Sequence, residues 1–471
     1  MVQFQKEEKD KDAFRDQLAT IDEQGKRIWV YAKNSKGTFT TARDLVGIFL
    51  LIIFFATPFI TIGGEPLLLL NFIERKIVIF GVMFWPQDFN LFFLATLAFI
   101  VFIILFTVTY GRIWCGWGCP QTIFMEVVFR RIEYWIEGNQ HHQKKLDAQP
   151  WNAEKILKKS SKHLIFFLIS FIISNFFLMY IIGVEDWKLL VTDDLRNHIV
   201  GLISMIAFSF VFYFIFSWFR EQVCSIVCPY GRLQGVLLDR NSIVISYDYQ
   251  RGDPKGTFFK SEDRAKAGKG DCINCTQCVQ VCPTGIDIRN GTQLECINCA
   301  CCIDACNSMM DKVGLKPGLI RYASEKMIRE KTKFKLNIRT IAYSGVLVIL
   351  LVIVGYSLLS RSAIEATVMR ASGSLFQEQA ENRISNLYNI KLVNKTKEEL
   401  PLSIKLLSQD GEIQIIGENI VVEPQSIGES VFFIILDKAD VTAHKMDVEV
   451  GIYSNDKLID KAKATFVGPE K

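Results

Sequence analysis

The stretch Cys272-x2-Cys275-x2-Cys278-x3-Cys282-Pro283, followed by Cys296-x2-Cys299-x2-Cys302-x3-Cys306, decides how this chain is read. A cubane [4Fe–4S] cluster needs four thiolates at its corners, and two-residue steps let one tight loop supply three of them. The spacing is that of bacterial two-cluster electron carriers, in which the fourth cysteine of each run crosses to the other cluster. It predicts one cluster on Cys272, Cys275, Cys278 and Cys306 and a second on Cys296, Cys299, Cys302 and Cys282. Pro283 turns the chain after the first run, and Asn307 stands in the corresponding place after the second. Cys301 falls off register and is read as a spare thiol. C-x2-C pairs also hold zinc, but two complete tandem runs favour iron–sulfur, electron-carrying chemistry.

Working outward, a 471-residue chain has room for two or three domains. Half its residues are hydrophobic, which points to membrane spans rather than one soluble core. All thirteen cysteines lie between Cys115 and Cys306, so reduced metal-binding thiols in a cytosolic setting fit better than a disulfide scaffold. There are five histidines and no C-x-x-C-H, which excludes covalent c-type haem. A net charge of +4 is unremarkable, and no nucleic-acid partner is expected.

Residues 1–43 are polar and basic, without the early apolar stretch of a cleaved signal peptide. Five apolar runs then approach the ~20 residues a bilayer core requires: 45–62, 91–109, 164–184, 199–219 and 341–359. The run 66–84 is interrupted by Asn71, Glu74, Arg75 and Lys76. It reads as an extracytoplasmic interfacial segment, with a re-entrant hairpin as the alternative. Lys and Arg number nine in 1–43 and nine in 111–163, against two each in 64–88 and 185–198. The positive-inside rule then gives a cytoplasmic N-terminus, five spans and a C-terminus outside, with every thiol on the reducing side. The predicted fold is an α-helical integral membrane protein carrying a cytoplasmic two-[4Fe–4S] ferredoxin-like domain and a C-terminal immunoglobulin-like β-sandwich. The segments are a cytoplasmic arm (1–43), a four-span membrane domain (44–229), the ferredoxin-like domain (230–337), a fifth span (338–360) and a periplasmic sandwich (361–471). For the last, the runs 387–393, 402–407, 413–416, 431–436 and 448–453 read as strands. They are separated by turn signals such as Gln409-Asp410-Gly411 and Ser454-Asn455-Asp456.

A second pair of motifs follows the second and fourth apolar runs: Cys115-Gly116-Trp117-Gly118-Cys119-Pro120 and Cys224-Ser225-Ile226-Val227-Cys228-Pro229. Aligned on the cysteines, Val127 matches Val236 and Arg131 matches Arg240, a weak internal repeat. Residues i and i+4 share a helix face, so each pair is expected to present two sulfurs together. A pseudo-twofold would gather Cys115, Cys119, Cys224 and Cys228 at one site. Soft thiolates select Cu(I), Zn or Fe–S; ordinary packing of small residues is the bland alternative. His141-His142 reads as a solvated pair and Met309-Met310 as cluster shielding.

Several stretches resemble the cytochrome c oxidase accessory proteins called CcoG, FixG or RdxA. They are Phe84-Trp85-Pro86-Gln87-Asp88-Phe89, Gly111-Arg112-Ile113-Trp114-Cys115, Cys228-Pro229-Tyr230-Gly231-Arg232, Cys282-Pro283-Thr284-Gly285-Ile286-Asp287 and Gly318-Leu319-Ile320-Arg321-Tyr322. The resemblance covers nearly the whole chain. It implies a multi-pass bacterial inner-membrane protein that helps build cbb3-type oxidase, with cupric reductase activity supplying Cu(I). Cys115, Cys119, Cys224 and Cys228 would be the copper-reducing site. The implied partners are membrane lipid, a cytosolic electron donor, copper chaperones or a transporter, oxidase assembly factors, and further copies in an oligomer. The competing readings are a quinol-dehydrogenase-type membrane ferredoxin feeding a partner reductase, and a non-catalytic assembly scaffold.

Overall fold

A computed structural model describes residues 19–469, except 23, 74–75, 86–87, 195–198, 261, 265, 334–336, 372–375, 397, 418–419, 425 and 455. Residues 1–18 of the N-terminal arm, Glu74 and Arg75, Pro86 and Gln87, and Asn455 therefore lie outside the described residues. The chain divides into two compact units, 1–82 with 95–351, and 83–94 with 352–471.

Among the described residues, five helices are long and apolar enough to cross a membrane: α1 (Thr38–Ala56, extended by a tight turn to Phe59), α2 (Phe89–Tyr110), α3 (Ala153–Ile182), α4 (Ile199–Phe214, running through a π-helical turn to Phe219) and α5 (Ile338–Leu359). They match the five predicted runs, but α1 and α3 start earlier than hydropathy alone suggests. The start of α1 is set by a distant residue: Asp304 accepts from the backbone N–H groups of Phe39 (3.2 Å) and Thr40 (2.7 Å). A carboxylate there satisfies otherwise orphaned amides and complements the helix dipole. Gly37 is needed for the approach, since a Cβ at that position would overlap the Asp304 side chain. Helix α3 gains a polar first third because Lys155, Lys159 and Lys162 all find partners at that end.

The segment 66–84 contains the antiparallel strand pair Leu68–Asn71 and Lys76–Ile79, rather than a helix. Short helices Ile113–Trp117, Pro120–Ile123 and Pro229–Leu237 follow α2 and α4, and Cys301–Val313 follows the second cysteine run.

The second unit is a two-sheet sandwich. Its strands are β1 (Ile364–Arg370), β2 (Arg383–Asn394), β3 (Leu400–Leu406), β4 (Gly411–Ile416), β5 (Ile420–Val422), β6 (Ile427–Asp437), β7 (Lys445–Ser454) and β8 (Lys457–Val467). One sheet runs β4-β6-β2-β1, with Gln377–Gln379 also pairing β2; the other runs β5-β3-β7-β8. In β8, Ala462, Ala464 and Phe466 point inward while Lys461, Lys463 and Thr465 point out, the alternation of a half-buried strand. Within this unit the buried Asp88 accepts from Arg361 (2.5 Å) and Lys395 (2.6 Å), tying residues 83–94 to the sandwich.

Candidate iron–sulfur and thiol site

The two cysteine runs build the same loop twice. Asn274 and Thr276 flank Cys275 with φ of 53° and 57°, and Asn298 and Ala300 flank Cys299 with 54° and 63°. Four non-glycine residues in the left-handed region, at matched positions, are strain of the kind retained at ligand sites. Each loop then enters a helix, at Gln277 and at Cys301. Cys306 lies in electrostatic reach of Cys272 and Cys275, and Cys278 in reach of Cys275 and Cys306. Cys282 sits among Cys296, Cys299 and Cys302. The fourth cysteine of each run therefore joins the other run's loop. Burial pushes the thiols of Cys278, Cys296 and Cys306 up to about 12, so metal uptake must release their protons. The quartets fit [4Fe–4S] groups by donor number, loop strain and crossover. Cys301 turns elsewhere: Arg43 of α1 donates to its sulfur at 3.2 Å.

The other four thiols also assemble, although not on two helices as expected. The helix Ile113–Trp117 stops at Gly118, and Cys119 is extended, capping the helix that begins with Pro120. Cys224 lies in a π-helical turn, and Cys228 is extended before Pro229. A residue preceding proline is driven out of the α region, which breaks each presumed i,i+4 pair. The break places Cys119 and Cys228 at helix N-caps. Gly231 donates its N–H to Cys228 Sγ at 3.4 Å. Cys115, Cys119, Cys224 and Cys228 all lie within electrostatic reach of one another, with Arg112 among them. Arg112 Nε and Cys115 Sγ share Gln234 Oε1, at 3.0 and 3.2 Å. Burial raises the Cys115 and Cys119 thiols and takes Cys224 up to about 12. Among the described residues, no three His, Cys, Asp or Glu side chains converge on a single-ion site.

This thiol group abuts the second run. A Cβ on Gly116 would stand 2.9 Å from Cys299 N and Cα and would strike Ile297 O, so the motif's glycine is fixed by the loop it touches. Trp117 Nε1 donates to Asn298 O at 3.2 Å, and Tyr322 donates to the same oxygen at 2.8 Å. Cys115 belongs to one apolar core with Cys272, Cys278, Cys299, Cys302, Cys306 and Met310.

Three family models match: a 4Fe-4S dicluster domain over residues 219–325, a 4Fe-4S binding domain over 92–143, and the Ig-like fold at the C-terminal of FixG over 354–469. The nitrogen fixation protein FixG of Rhizobium meliloti is 31% identical over 424 residues, 81% of this chain and 79% of that one. The proteins RdxA and RdxB of Cereibacter sphaeroides are 32% and 33% identical, covering 79% and 82% of this chain and 81% and 83% of their own. The chain belongs to the FixG family. It is an iron–sulfur membrane protein of electron transport with a C-terminal Ig-like domain. A crystal structure of a FixG-related protein from Vibrio parahaemolyticus matches with 19% identity and a TM-score of 0.19, over 23% of this chain and 97% of that one.

In this FixG-family chain, sequence reading missed the charged layer beside the thiols. Arg220 grips Glu133 through both terminal nitrogens (3.1 and 2.9 Å). Lys162 bridges Glu133 and Glu137 at 3.4 and 2.8 Å. Arg130, almost wholly buried, pairs with Glu126 (3.1 Å) and approaches Glu221. Although burial opposes its ionisation, Arg220 and then Lys162 pull Glu133 down to about 2. Arg220 itself sits at φ 50°, ψ −122°, a strained backbone that this grip sustains. The available signal was the spacing of Glu126, Arg130, Glu133 and Glu137, which puts four charges on one face. His141 and His142 are exposed, and Met310 is buried against the cysteine loops.

Proposed function

We propose that this chain is a Cu(II) reductase of the bacterial inner membrane, supplying Cu(I) for assembly of a cbb3-type oxidase. In this reading the N-terminus and the cysteine loops face the cytoplasm and the sandwich faces the periplasm, as the Lys and Arg distribution supports. Cys272, Cys275, Cys278 and Cys306 would hold one [4Fe–4S] cluster, and Cys296, Cys299, Cys302 and Cys282 the other. Bound there, the clusters would supply electrons one at a time. The observation that supports the reading is the contact of Gly116 and Trp117 with Ile297–Cys299: it brings the segment carrying Cys115 against one cysteine loop, and Cys119, Cys224 and Cys228 lie within electrostatic reach of Cys115. Cu(II), the substrate, gains one electron and becomes Cu(I). Two thiols of Cys115, Cys119, Cys224 and Cys228 lose their protons and hold the product, since soft sulfur prefers Cu(I). Arg112 stabilises the thiolates formed. Oxidase assembly factors and a copper chaperone or transporter would receive the ion.

The test is anaerobic oxidation of the dithionite-reduced protein by Cu(II), followed in the visible band, with a Cu(I)-specific chelator recording the product. Cys115→Ser with Cys119→Ser, and Cys224→Ser with Cys228→Ser, should impair Cu(I) capture equally severely, with the quadruple variant little worse, while iron stays at about eight per chain. Normal rates in the quadruple variant would sink the proposal. A second reading is favoured by the 4Fe-4S binding model over 92–143, which includes Cys115 and Cys119: the four thiols hold a further cluster. Iron near twelve per chain, falling to eight in the quadruple variant, would establish it instead.

A further inference from the structure

Beside the first cysteine loop lies an open cleft of about 810 Å³. Arg251, Arg321, Lys331 and Lys333 line it, with Met327 and Ile328 as an apolar floor. Asp248 lines it too, and two of the four cations are paired. Arg321 pairs with Asp248 at 2.9 Å, Arg251 pairs with Asp271, and Lys331 and Lys333 are exposed. The wall of the cleft is also the support of one cysteine quartet. Asp271 N donates to Arg251 O at 2.9 Å, Cys272 N donates to Gly252 O at 3.3 Å, and the charge of Arg251 reaches Cys306. The thiol group, by contrast, touches the other loop at Ile297–Cys299. Cleft and thiols thus adjoin different quartets.

We infer that this cleft docks a small acidic protein carrying a one-electron centre, and that it is where reducing equivalents arrive. The inference rests on the electron-transfer reading but not on copper. One electron leaves the carrier's reduced centre and one is taken up at the quartet of Cys272, Cys275, Cys278 and Cys306; no bond or proton is exchanged. A nicotinamide gives two electrons as hydride and cannot match a one-electron acceptor without an intermediary, which favours a protein carrier over a free nucleotide. Cations around an apolar floor steer an acidic patch into register and raise its association rate. An anionic lipid headgroup would account for Lys331 and Lys333 close to α5, but not for a cleft whose wall supports the Cys272 loop.

The experiment is surface plasmon resonance with the full-length, detergent-solubilised holoprotein and a small acidic [2Fe–2S] ferredoxin, both oxidised so that no electron moves. Wild type should bind at about 20 mM salt and weaken markedly at about 300 mM, where the Debye length is much shorter. Lys331→Glu with Lys333→Glu should weaken binding at least about tenfold and flatten the salt dependence, while Lys331→Arg with Lys333→Arg restores it. Iron content and visible spectrum should match wild type, showing that the variant folds. Salt-insensitive binding, no binding, or equal affinity in the charge-reversed variant would overturn the inference. So would tight binding of NADH or FMN, or of phosphatidylglycerol vesicles, that the reversal removes while ferredoxin binding is unchanged. Copper is absent throughout, so failure here leaves the reductase proposal standing, and failure of the reductase assay leaves this one standing.

Discussion

The two thiol systems of this protein are made in opposite ways. The cluster quartets are local: each loop supplies three cysteines within seven residues, strained in place by its own left-handed residues, and only the fourth comes from elsewhere. The C-x3-C-P group is assembled from afar, with Cys115 and Cys119 separated from Cys224 and Cys228 by two spans. Its geometry is held by neighbours: Gln234, Arg112, the Ile297–Cys299 backbone and the ionic layer of Glu133 and Arg220. Local strain needs little help from the rest of the chain, whereas a distant assembly inherits the stability of everything between its parts. The two systems should therefore fail under different substitutions.

The largest separation is expected from Glu133→Ala. It strands Arg220 and Lys162 in a buried layer, a loss of about 3–5 kcal/mol, seen as a lower melting temperature in detergent. Copper capture should fail before iron is lost; simultaneous loss would mean that the two systems are one structural unit. The same pair sets an acid limit. Glu133 is ionised in the folded protein down to about 2, against an ordinary 4.5. Its contribution is thus complete above about pH 4.5 and disappears as pH falls toward 2. In Glu133→Gln that part of the acid sensitivity should vanish.

Gly116→Ala tests the contact between the systems. The new methyl group must displace the Ile297–Cys299 backbone, at about 1–3 kcal/mol. Electron paramagnetic resonance of the reduced protein should change for the cluster on Cys296, Cys299, Cys302 and Cys282 and not for the other. An unchanged spectrum would remove the contact on which electron delivery to the thiols depends. A smaller effect, about 1–2 kcal/mol, is expected from Asp304→Ala, which uncaps α1. Both clusters should remain.

What was legible in the sequence follows the same division. The cysteine runs, the five apolar helices and most sandwich strands carry their signal in short windows. The strand β8 is hard to read because its inward positions Ala462 and Ala464 are small and its first half is polar, and β1 because it follows a span closely. The early starts of α1 and α3 were invisible to hydropathy, since Asp304 and the partners of Lys159 and Lys162 lie far along the chain. The cleft at Arg251 joins two segments about seventy residues apart, and no spacing rule connects them.

Cys301 gives the finest test of where the local system ends. It stands between Cys299 and Cys302, close enough to both to be taken for a ligand, yet the sequence spacing leaves it over and its sulfur receives a hydrogen bond from Arg43. The sulfur is buried and faces the Arg43 guanidinium of α1. Its work is therefore mechanical, fastening the second loop to α1 near the Asp304 cap. Serine at this position keeps an acceptor for Arg43 but with a shorter reach. Cys301→Ser should then weaken the fold by only about 1 kcal/mol, with iron and labile sulfide unchanged from wild type. Cys302→Ser, one residue on, should remove about half the iron. Equal iron loss in the two variants would make Cys301 a ligand, and the register read from the spacing would have to move by one residue in the second run.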